Sequence, residues 1–115
     1  MIQIKRVYDQ HSTTDGYRVL VDRLWPRGIA KDELHANLWL KEVAPSTELR
    51  KEFHDSGLDW HSFVHKYETE LKGSSAEAFE QLKEIVHDHK TVTLLYASKD
   101  EEHNHAQILQ KMLKK

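Results

Sequence analysis

The run from Thr91 to Tyr96 constrains the fold more than any other part of the sequence. Its letters, T-V-T-L-L-Y, are rich in β-branched residues and place apolar side chains on both faces of an extended chain. Strands that are apolar on both faces are typical of the centre of a parallel sheet, because helices cover both sides of such a sheet. The run therefore predicts a buried parallel strand, with helices packed around it.

Two further strands are predicted in the first quarter of the chain. Residues 2–8 alternate apolar and polar, which is typical of a strand with one solvated face. Residues 17–24 are apolar and β-branched, and Pro26 must end that strand. The connection over residues 9–16 is rich in turn formers and too short for a crossover helix. Residues 38–43 are interpreted as a short strand or an extended segment.

Helical patterns dominate the rest of the chain. Ser46 is the predicted N-cap of a first helix, and Asp59 is the predicted N-cap of a second, whose apolar residues recur at helical spacing. Ser74 and Glu77 form a capping-box pattern that predicts the start of a third helix. A final helix follows the run S-K-D-E-E-H-N-H after the last strand.

Because strands alternate with helices, the predicted fold class is α/β, with a small, mostly parallel sheet flanked by helices in a Rossmann-like three-layer sandwich. The 115 residues fit a single domain, residues 1–115, and a domain of this size buries roughly two-thirds of its unfolded surface. Hydrophobic residues make up 38% of the chain and charged residues 31%, which excludes a disordered protein.

Charge and cysteine usage exclude several function classes. The formal net charge of −2 provides no global field toward nucleic acid or an anionic membrane. The absence of cysteine excludes disulfides, thiolate catalysis and thiolate metal sites. No apolar run reaches the length of a signal peptide core or a membrane span, so we expect a cytoplasmic protein with no membrane partner.

The arginines are concentrated at one end of the sequence. All five lie within the first fifty residues, and every later cation except histidine is lysine. The planar guanidinium suits bidentate binding of carboxylates and phosphates. Pairing with nearby acids, such as Asp22 and Glu48, explains the arginines equally well, and both interpretations stay open.

Two loops are predicted to form a binding crevice, since ligands of open α/β sheets lie beyond the carboxyl ends of the strands. They are residues 22–28, D-R-L-W-P-R-G, and residues 97–105, A-S-K-D-E-E-H-N-H. If their strands are parallel neighbours, the loops face each other. The N-terminus of the following helix would add N–H groups that attract a phosphate or carboxylate. The predicted ligand-binding residues are Arg23, Trp25, Arg27, Gly28, Lys41, Arg50, Ser98, Lys99 and Asn104.

Structural alternatives stand beside these assignments. Ser98 and Glu101 also fit a capping box, in which Ser98 would serve only the helix. Asp22 could pair with Arg23 or Arg27 and tie down its own loop. The tryptophan and proline of that loop could plug the end of the sheet instead of stacking on a ligand.

Catalytic and metal-binding signatures are sparse. His61 and His65 are one helical turn apart, and the run D-x-x-H-x-H follows the last strand, but neither completes a recognisable ligand set, so no metal or cofactor is predicted. The sequence has no nucleophile elbow, P-loop or G-x-G-x-x-G motif. Enzymatic activity is left open. If there is any, Asp22, Asp100 and His103 are the acid–base candidates.

Four ordered motifs resemble the short, YeaO-like branch of the DUF488 family, and together they cover nearly the whole chain. They are R-V-L-V-D-R-L-W-P-R-G, L-W-L-K-E-V-A-P-S with L-R-K-E-F, W-x-x-F-x-x-x-Y-x-x-E-L, and V-T-L-L-Y-A-S-K-D with H-N-x-A. The resemblance implies a small cytoplasmic protein of uncharacterised function. It also implies that the shared polar positions are Asp22, Arg23, Arg27, Gly28, Lys41, Ser46, Arg50, Lys99, Asp100 and Asn104.

Longer relatives in the wider family carry a cysteine at the end of the last strand, where this chain has Tyr96, so thiol chemistry does not transfer. The leading hypothesis is a protein that binds a small anionic, phosphate- or nucleotide-like ligand, with hydrolase or transferase activity as an open extension. The alternative is a non-enzymatic regulatory or accessory module that binds protein or nucleic acid through the arginine-bearing half. The sequence leaves the oligomeric state undetermined.

Overall fold

A four-stranded, all-parallel sheet organises the protein. The computed structural model describes residues 1–114. The strands are β1 (Ile2–Arg6), β2 (Tyr17–Leu20), β3 (Leu38–Trp39) and β4 (Val92–Tyr96), in the spatial order β1-β4-β2-β3. All pairs run parallel, and β4 lies between β1 and β2. The predicted central strand is therefore confirmed, whereas the strand expected over residues 17–24 already ends at Leu20.

Five α-helices surround the sheet within the described residues, which confirms the α/β class and the helix-flanked sheet. They are α1 (Lys31–Leu34), α2 (Thr47–Asp55), α3 (Trp60–Lys72), α4 (Ala76–Asp88) and α5 (His105–Leu113). Short 3₁₀ turns lie at Thr13–Asp15 and Lys41–Val43.

Local capping chemistry explains where two of these helices begin. The Ser46 hydroxyl accepts a hydrogen bond from the Leu49 amide at 3.1 Å, and the Asp59 carboxylate accepts one from the Ser62 amide, also at 3.1 Å. Both predicted N-caps are therefore confirmed.

The capping box predicted from Ser74 and Glu77 is wrong. Helix α4 begins one residue later than that pattern requires, after Ser75, and no side chain among the described residues caps it. The turn after α3 instead satisfies its amides with backbone carbonyls: the Ser75 amide donates to the Glu70 carbonyl at 2.8 Å, and the Ala76 amide donates to the Gly73 carbonyl at 3.1 Å.

Two hydrophobic clusters cover the two faces of the sheet. Val19 and Leu94 point to the larger cluster, where helices α2 to α5 pack. Leu20 and Leu95 point to the smaller one, which is closed by α1 and by loop residues such as Trp25. All four of these strand side chains are fully buried. Burial on both faces is the reason that the central strand is apolar throughout.

The sheet order brings the two predicted loops side by side. Strands β2 and β4 are parallel neighbours, so their carboxyl ends lie at the same edge. The pairing continues one residue further, since the Val21 amide donates to the Leu95 carbonyl at 3.1 Å. The loops after β2 and β4 therefore begin next to each other, as the sequence predicted.

Candidate ligand-binding cavity

A cavity of about 350 Å³ lies beyond the carboxyl ends of β2 and β4. This volume is within the range of roughly 300–1,000 Å³ that small-molecule sites occupy. Its walls come from the two loops, from the segment that leads into α2, and from α2 and α3. The lining residues are Asp22, Arg23, Leu24, Trp25, Pro26, Arg27, Ala44, Pro45, Arg50, Phe53, His54, Trp60, Phe63, Ala97, Ser98, His103, Asn104 and His105.

Asp22 joins the two loops at the base of the cavity. One oxygen of its carboxylate, Oδ2, accepts a hydrogen bond from the Ala97 amide at 2.9 Å. The other oxygen, Oδ1, lies 3.2 Å from Nε2 of His105. Within residues 1–114, Oδ1 is the one fully buried side-chain oxygen or nitrogen that lacks a hydrogen-bond partner. Buried polar atoms are normally paired, so this oxygen marks the site as unusual.

His105 is held in place by a backbone carbonyl. Its Nε2 lies 2.9 Å from the Val21 carbonyl oxygen. Because a carbonyl can only accept, Nε2 must carry the hydrogen and donate it there. A single N–H aimed at Val21 leaves the contact with Asp22 electrostatic, which explains why Oδ1 is close to the ring and yet unpaired.

Arg23 is committed to the protein backbone. Its Nε donates to the Pro45 carbonyl at 3.2 Å, and its Nη2 donates to the Ala44 carbonyl at 3.1 Å. These bonds fix the segment before α2 against the loop after β2. Although Arg23 lines the cavity as predicted, its main contacts are structural.

Arg27 and Arg50 are the cations that remain available. Both line the cavity, and neither forms an ion pair with any described residue. The ion pair of Asp22 with Arg23 or Arg27, which the sequence left open, is not formed among residues 1–114. Arg27 is exposed, and among the described residues only its backbone carbonyl is bound, by the Tyr8 hydroxyl at 3.2 Å.

An aromatic wall also lines the cavity. The rings of Trp60 and Phe63 stack with centroids 5.5 Å apart and an interplanar angle of 19°, and Phe53 lies 4.6 Å from Phe63. The imidazole of His103 lies 5.0 Å from Trp60. The sequence missed this wall, because helical spacing marks such residues as core and does not show that their stripe continues into a cavity.

Trp25 mainly packs within the protein. Its indole N–H donates to the Ile29 carbonyl at 2.7 Å, and its ring meets Trp39 edge-on, with centroids 5.5 Å apart and an interplanar angle of 71°. Trp25 still belongs to the cavity lining. The packing alternative therefore accounts for most of its contacts.

The start of α5 differs from both sequence interpretations. Asn104 is buried and caps the helix, since its Oδ1 accepts from the Gln107 amide at 3.1 Å and its Nδ2 donates to the Asp100 carbonyl at 2.9 Å. The alternative capping box of Ser98 and Glu101 does not form; the Ser98 hydroxyl accepts from the Asp100 amide at 3.2 Å. The helix N-terminus therefore lies several residues beyond Asp100.

Asp100 acts within its own loop. Its Oδ1 accepts from the amides of Glu102 and His103, both at 2.9 Å, and these bonds hold the pKa of the Asp100 carboxyl below its ordinary value. The second oxygen lies 3.6 Å from Nδ1 of His103. Of the three acid–base candidates, the structure brings Asp22 and His103 to the cavity and leaves Asp100 outside its wall.

Three other predicted ligand-binding residues also lie away from the cavity wall: Gly28, Lys41 and Lys99. Lys41 places its ammonium 5.2 Å from the centre of the Trp39 ring. Lys99 is exposed. Gly28 has a φ of +76°, so its role is conformational. By contrast, Arg27, Arg50, Trp25, Ser98 and Asn104 all reach the cavity.

His105 was absent from the predicted site, although the structure places it at the base of the cavity. The signal in the sequence was weak, because its partner Asp22 is distant along the chain and the H-N-H run resembles a helix start. No cluster of three or more acidic or histidine side chains within residues 1–114 is arranged to hold a metal ion. Over the same residues, no helix is both long and apolar enough to cross a membrane.

Comparison with known proteins identifies the family. A family model described as "Inactive DUF488-N3 subclade" matches residues 1–115. The chain belongs to the DUF488 family. It is 48% identical over 108 residues to the uncharacterized protein YeaO of Escherichia coli K12, which covers 94% of this chain and 92% of that relative.

More distant DUF488 relatives are mycobacterial. The uncharacterized proteins Mb3100c of Mycobacterium bovis and Rv3073c of Mycobacterium tuberculosis are each 38% identical over 112 residues, 97% of this chain and 92% of each relative. No solved structure matches the chain. The resemblance to the YeaO-like branch, first inferred from four motifs, is thus confirmed.

Proposed function

We propose that this protein is a non-catalytic binding protein for a small anion attached to a planar ring, of the phosphate- or nucleotide-like class. One observation carries the proposal: Arg27 and Arg50 line a concave cavity, have no acidic partner among the described residues, and share that cavity with a group of aromatic rings. Small-molecule sites combine an apolar lining with a few polar groups that fix orientation, and this cavity has that composition.

The charge of the cavity favours an anion. Among residues 1–114, Asp22 is the only carboxylate in its lining, and His105 faces that group at 3.2 Å. Arg27 and Arg50 therefore act on the cavity without nearby compensation. A guanidinium binds phosphate or carboxylate through two parallel hydrogen bonds, which gives both affinity and orientation.

The aromatic wall supports a ring on the ligand. Trp60 and Phe63 lie nearly parallel, and His103 packs at the edge of the same group. Stacking of a base on an aromatic side chain contributes about 1–3 kcal/mol. An anion that carries such a ring contacts both the arginines and the aromatic wall, whereas a bare anion contacts only the arginines.

Two observations favour a non-catalytic protein. The matching family model describes an inactive subclade. In addition, the last strand ends at Tyr96, which is buried, and burial raises the pKa of its hydroxyl. A neutral, buried phenol is a poor nucleophile.

Isothermal titration calorimetry with adenosine 5′-monophosphate and adenosine tests the proposal. We expect the monophosphate to bind and adenosine to bind at least tenfold more weakly, because only the former engages the arginines. Arg27→Ala should weaken monophosphate binding by about tenfold or more, since a charge-assisted hydrogen bond contributes about 1.5–3 kcal/mol.

Lys99→Ala is the matched control, because it removes one positive charge from an exposed side chain that lies off the cavity wall. It should leave the affinity within about twofold of wild type. Equal losses in the two variants would mean that net charge, and not the cavity, governs binding. No heat of binding with either ligand at millimolar concentration would refute the proposal.

The alternative module that binds protein or nucleic acid through the arginines has less support. Arg6 donates to the Ser98 carbonyl at 2.9 Å, Arg18 pairs with Asp15, and Arg23 is bound to the Ala44 carbonyl at 3.1 Å. The guanidinium groups of three of the five arginines therefore already bind groups within the protein.

A further inference from the structure

We propose that His105 is a proton-linked anchor of the cavity: its Nδ1 takes up a proton from solvent when the anion binds, and the carboxylate of Asp22 provides the counter-charge. The inference rests on the proposed function and extends it by making binding depend on pH. It also assigns a role to the unpaired oxygen at the base of the cavity.

The geometry fixes which ring nitrogen is available. Nε2 donates to the Val21 carbonyl at 2.9 Å, so the neutral ring has its lone pair on Nδ1. Nδ1 has no hydrogen-bond partner among residues 1–114, and it is not among the fully buried unpaired atoms. It therefore keeps contact with solvent, and His105 lines the cavity.

The neutral form of His105 leaves two groups without a suitable partner, its own Nδ1 and the carboxylate of Asp22. Its Nδ1 can only accept, so its lone pair repels an anion that approaches that side of the ring. At the same time, Oδ1 of Asp22 is buried at 3.2 Å from Nε2 without a hydrogen bond. One proton on Nδ1 resolves both, because it creates a donor toward the ligand and gives the ring a positive charge beside the carboxylate.

Among the described residues, no competing carboxylate contacts the ring of His105. The edge of the Tyr67 ring in α3 lies 6.2 Å away, and burial raises the pKa of the Tyr67 hydroxyl well above its ordinary value, so that group stays neutral. Glu70 binds the Ser46 amide at 2.9 Å. The remaining charged or titratable groups that line the site are Arg23 and Arg27 in the loop after β2, Arg50 and His54 in α2, and His103 before α5.

The arrangement requires proton uptake that is coupled to binding. Before binding, the three arginines of the cavity lining oppose a further positive charge, and Asp22 favours one. A bound anion adds negative charge on the open side of the ring and shifts the balance toward the imidazolium. The proton comes from solvent buffer, and no covalent bond of the ligand changes.

Long-range ¹H–¹⁵N NMR of the imidazole of His105 at pH 7.5 tests this directly, with adenosine 5′-monophosphate as the probe. In the free protein we expect the signature of the neutral Nε2–H form. With saturating monophosphate we expect protonation of both ring nitrogens. Saturable binding with an unchanged His105 spectrum would overturn this inference alone, whereas absence of binding would overturn the proposed function on which it rests.

Affinity measurements supply a second readout. The ratio of the Kd of His105→Gln to that of wild type should be about ten at pH 6 and close to one at pH 9, since tenfold corresponds to one charge-assisted hydrogen bond. Ionisation of the monophosphate affects both proteins equally and cancels in the ratio. A ratio that is constant with pH would contradict the linkage.

His65→Gln is the matched control, because His65 in α3 is exposed, does not line the cavity and has no carboxylate partner among the described residues. Its ratio should stay within twofold of one at both pH values. In Asp22→Asn, the monophosphate should still bind while His105 remains neutral in the NMR spectrum. Full protonation of His105 in that variant would show that Asp22 is not its counter-charge.

Discussion

Asp15 and Asp22 flank the two ends of strand β2, since Asp15 precedes the strand by two residues and Asp22 follows it by two. Their environments differ sharply. The side chain of Asp15 is 3% exposed and pairs with both Arg18 and Lys5. It also accepts a hydrogen bond from the Ser12 amide at 3.0 Å. One carboxylate oxygen of Asp22 accepts a hydrogen bond from the Ala97 amide, and the other is buried without a hydrogen-bond partner.

The contrast separates a structural network from a binding site. Arg18 is 2% exposed, and its guanidinium also donates to the Leu34 carbonyl at 2.9 Å and to the His35 carbonyl at 3.2 Å, at the C-terminal end of α1. At Asp15, the carboxylate is paired with two cations of the protein itself. At Asp22, hydrogen-bonding capacity is left over beside a cavity, as is typical of sites that a ligand completes.

Asp15→Asn should produce the largest effect, because it leaves the guanidinium of Arg18 buried without its counter-charge. Breaking a buried ion pair on one side costs about 3–5 kcal/mol. Urea unfolding at pH 7 measures the change in the free energy of unfolding. Asp88→Asn, at an exposed carboxylate, is the control. A loss at Asp15 no larger than at Asp88 would contradict the structural role.

Gly16→Ala should destabilise the same end of β2 by about 3 kcal/mol, since its left-handed φ of +66° is strained for alanine and the added Cβ would lie 2.3 Å from the Thr91 carbonyl. Gly28→Ala, in the loop at the other end, should cost only about 1–2 kcal/mol. Its φ is +76°, but nothing lies within 4 Å of the new Cβ. Thermal unfolding of both variants compares the two ends, and equal losses would show that backbone strain alone matters.

Asp22→Asn should change the free energy of unfolding by no more than about 1 kcal/mol, because the new amide oxygen can still accept from Ala97 and the replaced oxygen makes no hydrogen bond that could be lost. The same urea titration used for Asp15→Asn provides the measurement. A loss close to that of Asp15→Asn would make Asp22 structural, and the contrast between the two ends would disappear.

Acidification should produce the smallest effect. Burial alone raises the pKa of Asp15, but the hydrogen bonds from Ser12 and Lys5, with the charges of Lys5 and Arg18, hold it below the ordinary value of 3.8. A lowered folded pKa gives stability that is fully present above pH 3.8 and is lost as the pH falls through the folded pKa.

The stability advantage of wild type over Asp15→Asn should therefore be constant from pH 7 to pH 5 and should shrink only below pH 3.8. Urea midpoints of the two proteins across this range provide the test. An advantage that already declines near pH 6 would implicate histidine titration instead of the Asp15 carboxylate.

Much of the fold followed from local patterns in the sequence. The helix caps at Ser46 and Asp59 were predictable because an N-cap depends on a side chain three residues from its amide partner. The central strand was predictable from its apolar faces. The start of α5 was not, since Ser98 and Asn104 both offer capping oxygens and only burial of Asn104 decided between them.

The candidate site was predictable in position but not in composition. Parallel pairing of β2 with β4 placed the two loops together, as expected for this fold class. Arg27 and Arg50 reach the cavity, but Lys99 does not, because the loop around Asp100 folds on its own amides. The aromatic wall and the contact between Asp22 and His105 join elements that are far apart in the sequence.

The sequence by itself determined the α/β class, the central strand, two of the helix caps and the family, because each depends on residues close together or on motifs in fixed order. Only the tertiary structure decided which charges are used internally and which face the cavity. Sequence shows that a carboxylate or a guanidinium is present, but its role depends on the partners that folding brings within hydrogen-bonding distance. Both carboxylate oxygens of Asp15 have such partners, whereas one carboxylate oxygen of Asp22 has no hydrogen-bond partner among the described residues.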